Sequence, residues 1–223
     1  MFITFEGPEG SGKTTQIDLL YRALCAKGYQ VLKTREPGGT AIGDEIRAVL
    51  HDVRNTAMLP PTEVLLYSAS RAQIVGQLIR PALAQGKIVL CDRYADSTIA
   101  YQGYGHGLDL VMLRTITKFA TQGLRPDLTF YLDLPVEDGL QRKQQAFAAG
   151  ESELNRMDRK EMDFHQRVRE GYLELAADEP DRWIILDASQ AIDDVYAQIR
   201  ENIEALFKRC GFAEPTGKRR NST

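Results

Sequence analysis

The sequence predicts an α/β fold in three layers, a five-stranded parallel sheet with helices on both faces. Three observations carry this expectation. Five short apolar runs, residues 1–6, 30–34, 87–91, 128–132 and 183–186, contain the β-branched and aromatic residues that suit strands. Helical apolar patterns lie between them, and strands alternating with helices build a parallel sheet covered on both sides. The first run leads into a glycine loop and then a helix, the order in which a sheet presents backbone amides to an anion.

The first strand, Met1-Phe2-Ile3-Thr4-Phe5-Glu6, precedes Gly7-Pro8-Glu9-Gly10-Ser11-Gly12-Lys13-Thr14, which matches the phosphate-binding pattern G-x-x-x-x-G-K-[ST]. After it, Ile17, Leu20, Tyr21, Leu24 and Cys25 fall on one helical face. The glycines permit the close backbone approach that a phosphate needs. Lys13 is placed to reach β- and γ-phosphates, and the Thr14 hydroxyl to bind Mg²⁺. The loop residues 7–14, with Thr15 behind them, are the expected ATP site.

The second strand ends in Arg35-Glu36-Pro37-Gly38-Gly39-Thr40. Pro37 fixes a turn, and the glycines let backbone approach a ligand. Next, Leu65 to Arg71 reads as helix, so Tyr67 and Arg71 share a face at i, i+4 and can offer a ring and a guanidinium to one nucleobase. The third strand ends in Asp92-Arg93-Tyr94. Asp92 can hold Mg²⁺ directly or through a water, and the fork of Arg93 suits a second phosphate. Ligands of such sheets bind beyond the strand carboxyl ends, so Glu6, Arg35, Asp92 and Asp133 converge there.

Residues 151–170 are unusual: eleven of the twenty are Asp, Glu, Lys or Arg, against 26% for the chain. A charged, poorly anchored segment before an ordinary helix suits a mobile lid. We expect one domain over residues 1–210, a lid at about 146–162, and a polar, disordered tail at 211–223. The net charge of −3 gives no bulk case for nucleic acid or an anionic membrane. No run approaches the length of a membrane span, no signal peptide precedes the first strand, and Cys25, Cys91 and Cys210 show no metal or disulfide spacing, so a cytoplasmic location is expected.

With these blocks in place, the chain resembles the thymidylate kinase family, from residue 1 to about 200. The resemblance rests on the phosphate loop, Arg35–Thr40, Leu65–Arg71, Asp92-Arg93-Tyr94 with Ser97, Ala100-Tyr101-Gln102-Gly103, Arg125-Pro126-Asp127-Leu128 and Asn155-Arg156-Met157-Asp158. It implies a phosphate-loop kinase fold, transfer of the ATP γ-phosphate to dTMP within dTTP synthesis, and a homodimer. By position, Lys13 and Thr14 would hold ATP–Mg²⁺ and Arg142 would lie near adenine. Arg93 would hold the acceptor phosphate, and Glu9 would face the acceptor sugar. Tyr67 would stack on thymine, Arg71 would contact its edge, and Ser97, Thr98, Tyr101 and Gln102, with Arg35 and Pro37 nearby, would line that pocket. Some members carry an arginine in the phosphate loop, where this chain has Gly10; others carry it in the lid, where Arg156 matches. Tyr67 stands where Phe is usual, and His106 where many bacterial relatives have Arg.

Two alternatives come from other classes. A nucleoside kinase would need a carboxylate base, for which Glu9 or Asp92 could serve. A guanine-reading switch usually carries Asn-Lys-x-Asp, and none of the four asparagines here precedes a lysine.

Overall fold

The computed structural model describes residues 1–150 and 155–212. Residues 151–154 of the expected lid, and the expected tail from residue 213, lie outside the described residues. The five expected strands are β1 (Phe2–Glu6), β2 (Val31–Arg35), β3 (Ile88–Asp92), β4 (Leu128–Asp133) and β5 (Trp183–Asp187). They form one sheet in the order β2-β3-β1-β4-β5, parallel throughout. In register, Asp92 lies beside Phe5 on one side and Arg35 on the other, which brings three expected site segments to one edge.

Helix α1 (Lys13–Ala26) follows the glycine loop; α2 (Ala41–His51) and α3 (Pro60–Ile74) follow β2. Helix α3 continues through a π-helical turn, Val75–Ile79, into α4 (Arg80–Ala84). After β3 come α5 (Ala95–Thr98), a π-helical stretch Ile99–Gly105, and α6 (Leu110–Thr121). Helix α7 (Val136–Ala148) follows β4 and leads to the lid, with its 3₁₀ turn Met157–Arg159; α8 (Met162–Asp178) and α9 (Ile192–Cys210) complete the chain. Side-chain caps start two of these helices: Thr40 accepts from the Gly43 amide and Asp109 from the Met112 amide.

Alternation along the strands builds the layers. Ile3, Phe5, Leu90, Phe130 and Leu132 face α1 and α9, packing on Ile17, Leu20, Val195 and Ile199. On the opposite face Phe2, Val89 and Cys91 meet Ile74, Val75 and Ile79. Tyr131 and Trp183 meet Tyr172 and Leu175 of α8. Each such side chain, buried fully, contributes about 1.5–3 kcal/mol.

The described residues of the expected lid are better anchored than their charge predicts. Met157 is buried among Val64, Tyr101 and Phe164. The Asn155 side chain accepts from the Met157 and Asp158 amides, and Asp158 accepts from the Asn155 amide, which closes the turn on itself. Mean charge over twenty residues hides one apolar side chain placed over a hydrophobic cluster.

Candidate active site

Lys13 opens α1 and turns back over the loop. Its Nζ donates to the carbonyls of Gly7 and Pro8, at 3.1 and 2.8 Å, and to Ser11 Oγ at 3.4 Å. Burial, joined by the charge of Arg93, pulls the Lys13 ammonium down to about 8, against Glu9, Asp92 and Glu6. Gly10 has φ of +75°, and a Cβ there would overlap the Gly139 carbonyl of α7, so only glycine lets helix and loop touch. Thr14 Oγ1 donates to Asp92 Oδ2 at 2.8 Å. Helix start and strand end thus share one pair of hard oxygen donors, the kind that Mg²⁺ takes while keeping waters and substrate phosphates as its other ligands.

Arg93 is held from both ends. Its amide donates to the Phe5 carbonyl at 2.9 Å, and its φ of +66° lies in the left-handed region, a conformation that costs about 1–3 kcal/mol outside glycine. Its Nη2 donates to Glu9 Oε1 at 2.7 Å, its Nη1 to the Tyr172 hydroxyl at 3.3 Å, and its guanidinium lies over the Tyr101 ring. Burial favours a neutral Glu9, but Arg93, Lys13 and Lys143 outweigh it and hold that carboxyl down at about 2. Beneath lies Glu6, fully buried, accepting from the Tyr94 amide, Ser97 Oγ and the Tyr172 hydroxyl. Burial, reinforced by Asp96, pushes Glu6 above the usual carboxylate range. Glu6 therefore shapes the turn that aims Arg93 and Ser97.

One cavity of about 1040 Å³ gathers most of the expected residues. Glu9, Gly10, Gly12, Lys13, Thr14 and Thr15 line its loop end, with Asp92 and Arg93 beside them. Arg35, Pro37, Tyr67, Arg71, Ser97, Thr98, Tyr101 and Gln102 line the rest. Gly7, Pro8 and Ser11 lie behind the lining, where they accept hydrogen bonds from Lys13. The π-helical stretch carries Tyr101 and Gln102, a backbone form that recurs at functional sites.

Three expected residues stand differently. Arg71 is 1% exposed and engaged: Nε donates to Glu36, Nη1 to Thr98 Oγ1 and Nη2 to the Tyr94 carbonyl. It is a structural joint as well as a lining residue. Arg142 does not line the cavity; its Nη1 donates to the Ala188 carbonyl, behind Gly10. Arg156, expected at the transferring phosphate, is turned out of the cavity. Its Nε donates to the Leu50 carbonyl and its Nη2 to Glu63, because a buried carboxylate on α3 offers it a seat.

Sequence reasoning missed several lining residues. Asp44, Arg47, Ala48 and His51 recur at i, i+3, i+4, i+7 along α2, a polar stripe that the spacing does display. Arg47 holds the Pro37 carbonyl, and burial with Arg47's charge pulls His51 down to about 4, so its imidazole is neutral. Lys143 also lines the cavity, and no spacing marks it.

Two anion seats in one cavity, the amide-lined loop with Lys13 and the fork of Arg93, suit the passage of a phosphoryl group between two phosphorylated molecules. Such a site on this sheet defines a phosphate-loop kinase. The thymidylate kinase family model matches residues 5–199. The chain is 56% identical over 212 residues to thymidylate kinase of Roseiflexus castenholzii, covering 92% of this chain and 93% of that protein. It is 51% identical over 213 residues to thymidylate kinase of Desulfovibrio desulfuricans, covering 95% and 98%. The crystal structure of thymidylate kinase from Ehrlichia chaffeensis superposes with a TM-score of 0.74 at 33% identity, covering 91% of this chain and 98% of that one. The chain belongs to the thymidylate kinase family.

Proposed function

We propose that the chain converts ATP and dTMP to ADP and dTDP in the cavity between the phosphate loop and α3. The observation that carries this is the meeting of Lys13 and Thr14 with Arg93, Tyr67 and Arg71 around one space. The loop amides and Lys13 hold the donor phosphates, and Arg142, behind Gly10, lies on the adenine side. Arg93 holds the acceptor phosphate, Tyr67 stacks on thymine, and Arg71, Thr98 and Gln102 border the base. Thr14 and Asp92, which meet as a pair of hard oxygen donors, would hold magnesium, which would supply neutralisation of the donor's phosphate charge.

An acceptor phosphate oxygen forms the new bond at the γ-phosphorus. The bond to the β-phosphate oxygen breaks, and its electron pair leaves with ADP. The acceptor's second pKa is about 6, so that oxygen is anionic near neutral pH and no base is required. A nucleoside acceptor fits less well: Glu9, held at about 2 and bound to Arg93, is a weak base for a hydroxyl.

The chain acts as one domain and as a homodimer, and it works in the cytoplasm. In support, α3 and α6 pack together and expose Leu65, Val111, Met112 and Phe119, and the three cysteines are unpaired. Among the described residues no helix is long and apolar enough to cross a membrane.

ADP release with dTMP, thymidine, dCMP and dUMP as acceptors tests the reaction. dTMP is expected to lead, and EDTA to abolish turnover. Turnover of thymidine without turnover of dTMP would overturn the assignment.

A further inference from the structure

With Lys13 and Arg93 assigned to the two end phosphates, the phosphoryl group in flight needs one more cation. Two basic residues approach from the lid side. Arg156 is seated away from the cavity, its side chain 8% exposed. Its Nε holds the Leu50 carbonyl at the negative end of α2, and its Nη2 holds Glu63. That seat is built: Glu63 is 1% exposed, accepts from Gln102 Nε2 at 2.7 Å and lies 3.3 Å from His106 Nε2. The neighbours of Arg156, Asn155 and Met157, do line the cavity, so the seat holds the lid turn down.

Lys143 has the complementary placement. It stands one turn beyond Gly139 on α7, on the same face. Gly139 touches the phosphate loop so closely that an added Cβ would lie 2.5 Å from the Glu9 carbonyl oxygen. Lys143 therefore extends over the loop and into the cavity, where it is 16% exposed. Among the described residues the carboxylate within ion-pair range is Asp158, at 4.0 Å.

We propose that Lys143 is the lid-side cation that touches the transferring phosphoryl group, while Arg156, seated on Glu63, positions the lid. This rests on the phosphoryl-transfer reading above. As the γ-phosphorus passes from the ADP oxygen to the acceptor oxygen, the Lys143 ammonium follows the equatorial oxygens and is itself unchanged. Arg156 and Glu63 act through lid closure, which excludes water from the reacting phosphate.

The test uses the full chain and five variants: Lys143→Met, Lys143→Arg, Arg156→Met, Glu63→Gln and the Arg156→Met/Glu63→Gln double variant. Initial rates of dTDP formation and of ATP hydrolysis without dTMP are measured for each. Lys143→Met is expected to lower kcat at least ~10²-fold with both KM values within about threefold, and Lys143→Arg to recover most of the loss. Arg156→Met and Glu63→Gln are expected to lower kcat less than about tenfold, but to raise acceptor-free hydrolysis relative to transfer. A purely structural role for the pair would not move that ratio. The Arg156/Glu63 double variant should be no worse than the poorer single one, since both remove one seat. A larger kcat loss for Arg156→Met than for Lys143→Met, a Lys143→Met loss under about tenfold, or an unchanged hydrolysis ratio overturns the assignment. A wild-type chain that forms no dTDP overturns the reaction and this assignment together; wild-type turnover with the order reversed overturns only the assignment.

Discussion

Lys13 donates to three loop oxygens. Its ammonium, pulled down to about 8 mainly by burial, is charged below that pH and neutral above it. Bound phosphates favour the charged form, so the group titrates higher in the complex. We therefore expect kcat/KM for ATP to fall above about pH 8 while kcat stays level to higher pH, because the first reports the free enzyme. Two profiles falling together would reject this. The roles proposed for Tyr67 and Arg71 differ in what they predict. Stacking tolerates any base and is worth ~1–3 kcal/mol, so Tyr67→Ala should raise the dTMP KM by roughly one or two decades, with Tyr67→Phe near neutral. Arg71 can donate to the thymine O4 acceptor but not to the cytosine amino group, so its loss should narrow the dTMP/dCMP ratio of kcat/KM. Arg71→Ala also leaves Glu36 buried and unpaired; burial already pushes Glu36 up, against the pull of Arg71. Breaking such a pair costs about 3–5 kcal/mol, a fall in Tm of roughly 10 °C in a chain of this size. Equal losses for both nucleotides would remove the base-reading role.

At the scale of elements, α7 against the phosphate loop is the contact most sensitive to a single atom. Gly139→Ala brings a methyl to 2.5 Å from the Glu9 carbonyl oxygen and forces helix or loop to shift. Steady-state kinetics are expected to show the ATP KM raised at least ~10-fold with the dTMP KM little changed, since Arg93 and Tyr67 sit on other elements. The strands were legible to within a residue because apolar β-branched runs have few other uses; β2, expected at 30–34, is Val31–Arg35. The phosphate loop, Asp92 and Arg93 were legible because local spacing dictates their chemistry. The π-helical stretches at Val75–Ile79 and Ile99–Gly105 were not, because a one-residue change of winding leaves no mark in composition. The seating of Arg156 on Glu63 and the place of Lys143 in the cavity lining were not legible for a related reason. Which of two lid-side cations points inward depends on Glu63, about ninety residues away in sequence, and on Gly139 touching Glu9.

The whole molecule leaves two adjoining helices with uncovered apolar side chains. Val111 and Phe119 on α6 are 75% and 85% exposed, and Leu65 on α3 is 60% exposed. The homodimer proposed above would cover these side chains. Phe119→Glu is expected to convert dimer to monomer in sedimentation equilibrium. A wild-type chain that is monomeric at micromolar concentration would reject the dimer. The strand order was open to a sequence that shows only five runs and a right-handed crossover rule. The convergence of strand ends on one cleft was not, because it follows from a parallel sheet in any order.

Arg71 ties the segment after β2, the turn after β3 and α5 with one guanidinium. Its loss therefore loosens three segments at once, and the deficit is comparable to a large part of a typical folding margin of about 5–15 kcal/mol. A lineage drifting toward another pyrimidine would meet that barrier at the first step through this position. Thr98 and Tyr67 offer gentler routes, each changing one hydrogen bond or one ring. A library selected for dCMP phosphorylation is expected to return substitutions at those two positions before any at Arg71.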